Sequence, residues 1–183
     1  MLLKKEEMMA EDNVKEMYEK ARAAFKTVEF WPQDKVDEMV LAVGWELQKK
    51  ETAEELARLA VESGLGVYED KVHKIGTKVR GTLYDQIGVK TCGLVEEDKA
   101  KGIRRYAKPI GVIANVVPCT NPESTVCCIA LSTLKTRNAI ICSPHPRTEL
   151  ATYTTVEHIR KALKKVGGCT GPDRPARPPS SRA

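Results

Sequence analysis

Apolar residues recur at helical spacing through residues 1–90, and the rhythm then changes to short continuous runs. Asn13 with Glu16 forms a capping box, and Val14, Met17, Tyr18, Ala21 and Phe25 follow on one face. After Pro32, the positions Val36, Met39, Val40, Val43 and Leu47 make a second stripe. Thr52 and Glu55 form another capping box leading into Leu56, Leu59 and Ala60, and Ser63-Gly64-Leu65-Gly66 stops that helix. Asp70 is placed to cap a fourth segment carrying Val72, Ile75, Val79 and Leu83. The pattern predicts a packed helical part over residues 1–90.

Near Thr91 the period shortens. Cys92–Glu96 and Ile103–Ala107 are β-compatible, with the charged turn Glu97-Asp98-Lys99 between them, which predicts a hairpin over residues 91–108. Pro109 opens the apolar run Ile110–Val117, ended by Pro118, as expected of a strand buried on both faces of a parallel sheet. Glu123–Thr136 has helical length and many small residues. Asn138–Cys142 reads as a second buried strand, ended by Ser143-Pro-His-Pro146. Thr148–Val166 is a further helix with Leu150, Val156, Ile159 and Leu163 as its apolar set. Strand, helix, strand, helix over residues 109–167 is a right-handed crossover unit of an α/β fold.

Residues 168–183 differ in kind: four prolines, three arginines and no apolar period predict disorder rather than the third strand the topology calls for. The composition jump at Gly167 is what a shifted reading frame in a GC-rich gene would produce; a natural tail is the alternative.

Composition narrows the class. A length of 183 residues suits one domain with appendages, and with only 5% aromatic residues the core must be aliphatic. No apolar run approaches the ~20 residues of a membrane span. Lys4, Lys5, Glu6 and Glu7 stand where a signal peptide needs an apolar stretch, so the expected location is cytoplasmic. The net charge of +5 does not signal nucleic-acid binding, because both signs are interspersed and no aromatic-basic module is present. Six cysteines form no C-x-x-C pair and no His pair has zinc spacing, so no metal site is expected and the thiols read as small reduced hydrophobes.

The candidate chemistry lies in Val117-Pro-Cys-Thr-Asn-Pro122 and Cys142-Ser-Pro-His-Pro-Arg147, at the carboxyl ends of the two expected parallel strands. Open α/β sheets bind ligands at that edge. Neither a G-x-G-x-x-G nor a Walker loop occurs, so the residues alone point no further than a nucleotide site.

These motifs, with Pro109-Ile-Gly-Val-Ile before them and Leu134-Lys-Thr-Arg-Asn-Ala-Ile-Ile between, resemble the CoA-acylating aldehyde dehydrogenases. That group includes acetaldehyde, propionaldehyde and sulfoacetaldehyde dehydrogenases and the aldehyde half of bifunctional alcohol/aldehyde dehydrogenases. Upstream, Glu62-Ser-Gly-Leu-Gly-Val-Tyr-Glu-Asp-Lys71 and Lys90-Thr-Cys-Gly93 resemble the same family in the same order, so the likeness spans Val14 to Gly167. It implies the amino-terminal part of an NAD-binding domain with a partial Rossmann-like parallel sheet. The hairpin resembles the family's oligomerisation flap, which implies a homo-oligomer.

The resemblance also implies roles. Ordinary members end the first strand in P-W-N-x-P, whose Asn donates to the substrate carbonyl oxygen. Here the turn is Pro118-Cys-Thr-Asn-Pro122, so either Thr120 or Asn121 takes that part; Asn121-Pro122 also reads as a turn capping the next helix. Cofactor contacts are implied at Val117, Pro118, Cys119, Ser143, Pro144 and His145. Ser143 stands where ordinary members place a Lys on the adenosine ribose, and a serine could still hydrogen-bond that ribose. His145 is expected to line the nucleotide site. The implied cofactors are NAD and, as co-substrate, coenzyme A, with a small aldehyde as substrate.

In the family a Cys thiolate attacks the aldehyde, hydride leaves to NAD and the thioester passes to CoA. The resemblance places that nucleophile beyond the end of this chain, and none of the six cysteines has an evident base or cation beside it in the sequence. Three readings follow: a truncated acylating dehydrogenase, a non-catalytic nucleotide-binding or self-association module, and a non-functional fragment. Which aldehyde is used is not written here. No separate amphipathic encapsulation peptide precedes Asn13, so microcompartment targeting has no support.

Overall fold

Four helices open the chain in the computed structural model, which describes residues 2–168, with side chains from Asn13 onward. They are α1 (Leu2–Val28), α2 (Gln33–Leu47), α3 (Lys50–Val61) and α4 (Tyr68–Gln86). The expected disorder of residues 168–183 falls, from residue 169, outside the described residues.

The predicted α2 stripe is buried in full: Val36, Met39, Val40, Val43 and Leu47 all belong to the core. The expected helix starts need correction. Asn13 lies inside α1, because the Lys, Glu, Met and Ala residues before it are strong helix formers and carry the helix through. Thr52 is buried in the first turn of α3, whose opening hydrogen bond runs from Ala53 N to Lys49 O. Asp70 likewise sits inside the first turn of α4, where its charge favours the helix N-terminus without capping it. Val14 and Tyr18 are exposed; among the described side chains of α1, Phe25 and Val28 are buried.

The hairpin is present as β1 (Gly93–Asp98) and β2 (Ile103–Ala107), antiparallel, with an irregularity between Leu94 and Glu96. Cross-strand pairs Glu97–Arg104 and Glu96–Arg105 join its exposed side chains at 2.7 and 2.5 Å. The turn comes slightly later than expected, because Asp98 closes it by accepting from Ala100 and Lys101 N–H.

The α/β unit follows: β3 (Val112–Val116), α5 (Pro122–Lys135), β4 (Ala139–Ser143), a short 3-10 turn Pro146–Thr148, and α6 (Glu149–Lys165). β3 and β4 are parallel, in register from Val112↔Ala139 to Val116↔Ser143. α1 and α5 both pack on this sheet, and α2, α3, α4 and α6 pack around α5. The core therefore centres on α5, through Val126, Cys127, Ala130 and Leu131.

Burial of β3 on both faces does not hold. Asn115 and Val117 are covered, but Ile110, just before β3, and Val116, at its carboxyl end, are each 83% exposed. Leu150 is also exposed; α6 buries Ala151, Thr155, Ile159, Ala162 and Leu163 instead.

Polar side chains fix the join between hairpin and sheet. Arg137 adopts a φ of 59° and donates to Glu29 O at 2.7 Å and Ala107 O at 3.1 Å, tying the ends of α1 and β2 together. Asn138 Oδ1 accepts from the N–H of Ile110 and of Gly111, each at 2.7 Å. A backbone in this sparsely populated region persists where its surroundings hold it. Among the described residues no helix is long and apolar enough to cross a membrane.

Glu46 of α2 is 2% exposed and is ringed by three ammonium groups, Lys49 at 2.7 Å, Lys165 at 3.3 Å and Lys161 at 3.4 Å, with the His158 ring at 3.6 Å. Burial pushes its carboxyl up, but hydrogen bonds from Lys49 and Lys165 and the charges of Lys161 and Lys165 outweigh burial and hold it at about 2. A carboxylate depressed on folding contributes stability that is full above its unfolded value of 4.5 and fades as pH falls towards about 2. Urea unfolding across that window should therefore show stability falling with pH. Glu46→Gln should remove about 1–3 kcal/mol near neutrality and flatten the slope. An unchanged pH slope in the variant would remove Glu46 from this role.

Candidate active site

β3 and β4 deliver two short segments to one edge of the sheet. Val117 N donates to Ser143 O at 2.9 Å, extending the strand pairing by one bond and holding both ends level. Pro118 then ends the first strand, and Pro122 at the first position of α5 starts the helix without needing an N–H partner. The turn Pro118–Asn121 is thus held between two prolines. Ser143 is adjacent to Val117, and the segments Val117–Asn121 and Ser143–His145 leave the sheet at the same edge.

Asn121 occupies the cap position of α5, but its side chain makes no capping bond. Its Oδ1 accepts instead from Lys71 at 3.4 Å and from Lys74. The Nδ2 end donates to Thr120 Oγ1 at 3.5 Å, and Thr120 is exposed. Both candidate donors to a carbonyl oxygen therefore stand next to each other.

Lys71 is 5% exposed and Glu123 is fully buried; they pair at 3.4 Å. Glu123 fills the first turn of α5, where the helix dipole would otherwise attract an anion. This helix start is already compensated from within. A cofactor pyrophosphate would not find a free cradle there.

On the second segment, His145 Nδ1 accepts from Arg147 N at 3.2 Å, which leaves Nε2 to carry the proton of the neutral ring and to act as a donor. Arg147 Nη2 donates to Ser63 O at 2.5 Å, joining this turn to the loop after α3. The Ser143 side chain is exposed and open to a ligand hydroxyl.

Sequence reasoning missed Lys71, Lys74, Glu123 and Arg147. Lys71 had a readable signal: it falls in register with Ile75 and Val79 on the buried face of α4, where a lysine is out of place unless paired. Arg147 had none, since its partner is a backbone carbonyl 84 residues away.

Cys127 and Cys142 are held in the thiol form by burial. Burial pushes the Cys127 thiol up, with Cys128 and Glu123 adding to it. Burial also raises Cys142, partly offset by the Asn115 amide at 3.7 Å and by Arg160. The three histidines are engaged elsewhere: His73 with Thr77, His145 with Arg147, and His158 between Glu46 and Glu55. Among the described residues no cluster of His, Cys, Asp or Glu could hold a metal ion.

A parallel strand–helix–strand unit with its polar turns gathered at the carboxyl edge is the architecture of a nucleotide-binding α/β domain. The profile of the aldehyde dehydrogenase family matches residues 3–167. The sulfoacetaldehyde dehydrogenase of an Acholeplasma species is 42% identical over 149 residues, 81% of this chain and 31% of the relative. The acetylating succinate-semialdehyde dehydrogenase of Clostridium kluyveri is 40% identical over 162 residues, 87% of this chain and 35% of the relative. Among solved structures, an acetylating aldehyde dehydrogenase from Geobacillus thermoglucosidasius superposes with a TM-score of 0.83 at 32% identity. That superposition covers 91% of this chain and 38% of the other. The chain belongs to the aldehyde dehydrogenase family, and it spans about a third of the length of the curated relatives it matches.

The burial of Cys127 can be checked by alkylation at pH 8. Iodoacetamide should modify Cys119, half-buried on the turn, well before Cys127, read by peptide mass spectrometry. Equal rates at the two positions would contradict this packing of α5.

Proposed function

We propose that this chain is a segment of an NAD-dependent, CoA-acylating aldehyde dehydrogenase, converting aldehyde, CoA and NAD to acyl-CoA and NADH. One observation carries the reading: Pro118–Asn121 and Ser143–His145 stand at one edge of a parallel sheet in a chain of this family. The word "acetylating" in the names of two relatives supports the acyl-CoA product.

In this reading Val117, Pro118 and Cys119 form one wall of the cofactor site, and Ser143, Pro144 and His145 the other. The residues suit the ribose side of NAD: the Ser143 hydroxyl is exposed and His145 Nε2 is available as a donor. NAD, when bound, supplies the hydride acceptor. Thr120 or Asn121 donates a hydrogen bond to the aldehyde oxygen as it gains negative charge under attack by a thiolate. In the same reading that thiolate is supplied by a part of the family's length outside this segment; Cys127 and Cys142 are held here as buried thiols. The hairpin is the proposed contact with a second subunit, and the cytoplasm the proposed location.

A chimera gives the test. This segment is exchanged into the corresponding third of the Geobacillus enzyme, and CoA- and aldehyde-dependent NADH formation is followed. Thr120→Ala or Asn121→Ala, whichever removes the donor, should lower kcat by about 10²–10³. The 183-residue chain alone should form no NADH. If neither substitution lowers turnover, the carbonyl-binding role is wrong.

The second reading, a self-association module, draws on the exposed apolar positions Ile110 and Val116 beside a two-stranded sheet. Unpaired strand edges with apolar faces recruit other chains. The purified chain should run above its monomer size in gel filtration, with fast hydrogen exchange at the sheet edges. A sharp monomer peak with strong protection through residues 110–142 would show that the two-stranded sheet is stable by itself.

A further inference from the structure

Lys71 is a buried cation set in an apolar stripe, one turn before Ile75 and two before Val79. Its ammonium donates to Thr120 O at 2.5 Å, Asn121 Oδ1 at 3.4 Å and Glu123 Oε1 at 3.4 Å. Three acceptors match the three protons of an ammonium, and all lie on the strand-end turn or the first turn of α5. Lys74 donates to the same Asn121 oxygen. An ammonium cannot accept, so the Asn121 oxygen must face α4 and its nitrogen must face away, towards the Thr120 hydroxyl.

The chain before Lys71 is shaped to admit its stem. Gly66 has a φ of 87°, and a Cβ there would stand 2.9 Å from Lys71 Cε. Gly66 therefore leaves room for the Lys71 stem.

We propose that Lys71 is the positioning residue of the strand-end turn. It fixes the Thr120 carbonyl and the sense of the Asn121 amide, so that the Asn121 N–H2 and the Thr120 hydroxyl are presented side by side on the open face. The inference rests on the reading of that turn as the carbonyl-binding element. The competing account gives Lys71 one duty only, neutralising the buried Glu123.

The test uses the whole 183-residue chain labelled with 15N at asparagine, in solution or, for a self-associated sample, by magic-angle-spinning NMR. Only four asparagines occur, Asn13, Asn115, Asn121 and Asn138, and Asn121→Asp identifies the relevant side-chain signal. Lys71→Met alone would strand the Glu123 carboxylate, so the decisive variant is Lys71→Met with Glu123→Gln, beside Glu123→Gln alone. The single Glu123→Gln should leave the Asn121 amide pair in place. The double variant should move it towards the position of an unfolded chain, while Asn115 and Asn138 stay where they are. An unmoved Asn121 pair in the double variant would overturn the proposal, leaving Lys74 as the residue that holds the Asn121 oxygen and Lys71 with neutralisation alone. Loss of the Asn115 and Asn138 signals as well would overturn it too, since Lys71 would then hold the fold and not the turn. A turn that loosens as expected, while Thr120→Ala and Asn121→Ala leave the chimera's turnover intact, would keep Lys71 in place and remove only the carbonyl-binding reading.

Discussion

A carboxylate with no exposed surface sits in the first turn of the central helix, and it can sit there because Lys71 reaches it from α4. Buried charges are tolerated when paired and hydrogen-bonded. Removing one partner of such a pair costs about 3–5 kcal/mol, against a total stability of about 5–15 kcal/mol for a domain. The pair thus constrains several elements together. It sets the start of α5, the approach of α4 to that start, and the turn between β3 and α5. The far end of α5 is tied as well: Lys135 pairs with Asp37 of α2 at 2.5 Å, and its carbonyl accepts from Thr91 at 2.6 Å.

With both ends of α5 fixed, the two strands that flank it in sequence have little freedom. They pair in parallel with no slip, and their carboxyl ends come out level, Val116 opposite Ser143. Level ends are what make a shared site from two segments more than twenty residues apart. The polar groups at this edge then divide into two sets. Lys71, Lys74 and Glu123 are engaged with each other and with the turn, whereas Thr120, Ser143 and His145 Nε2 face the open side.

The sheet itself is only partly covered. α1 and α5 pack on the strands, but Val116 and Ile110 at the exposed face meet solvent. The hairpin, joined to the body through Arg137, presents Leu94, Ile103 and Tyr106 outward in the same way.

Secondary structure was legible from the sequence because periodicity is local. The α2 stripe, the hairpin and the β3–α5–β4 order all follow from which positions are apolar and where Pro and Gly interrupt them. Helix starts were less legible: Asn13, Thr52 and Asp70 carry capping chemistry, yet helix formers or neighbouring elements placed the true starts earlier. The motif residues from Val117 to Asn121 and from Ser143 to His145 could be nominated from the chain itself. Their support could not. Lys71 and Asn121 are 50 residues apart, Arg137 and Glu29 are 108 apart, and Lys165 and Glu46 are 119 apart. The sequence determined which elements form and which turns carry polar groups, because those depend on neighbours along the chain. Tertiary structure alone decided which of those groups are consumed by buried partners and which remain free, because burial and pairing are properties of packing.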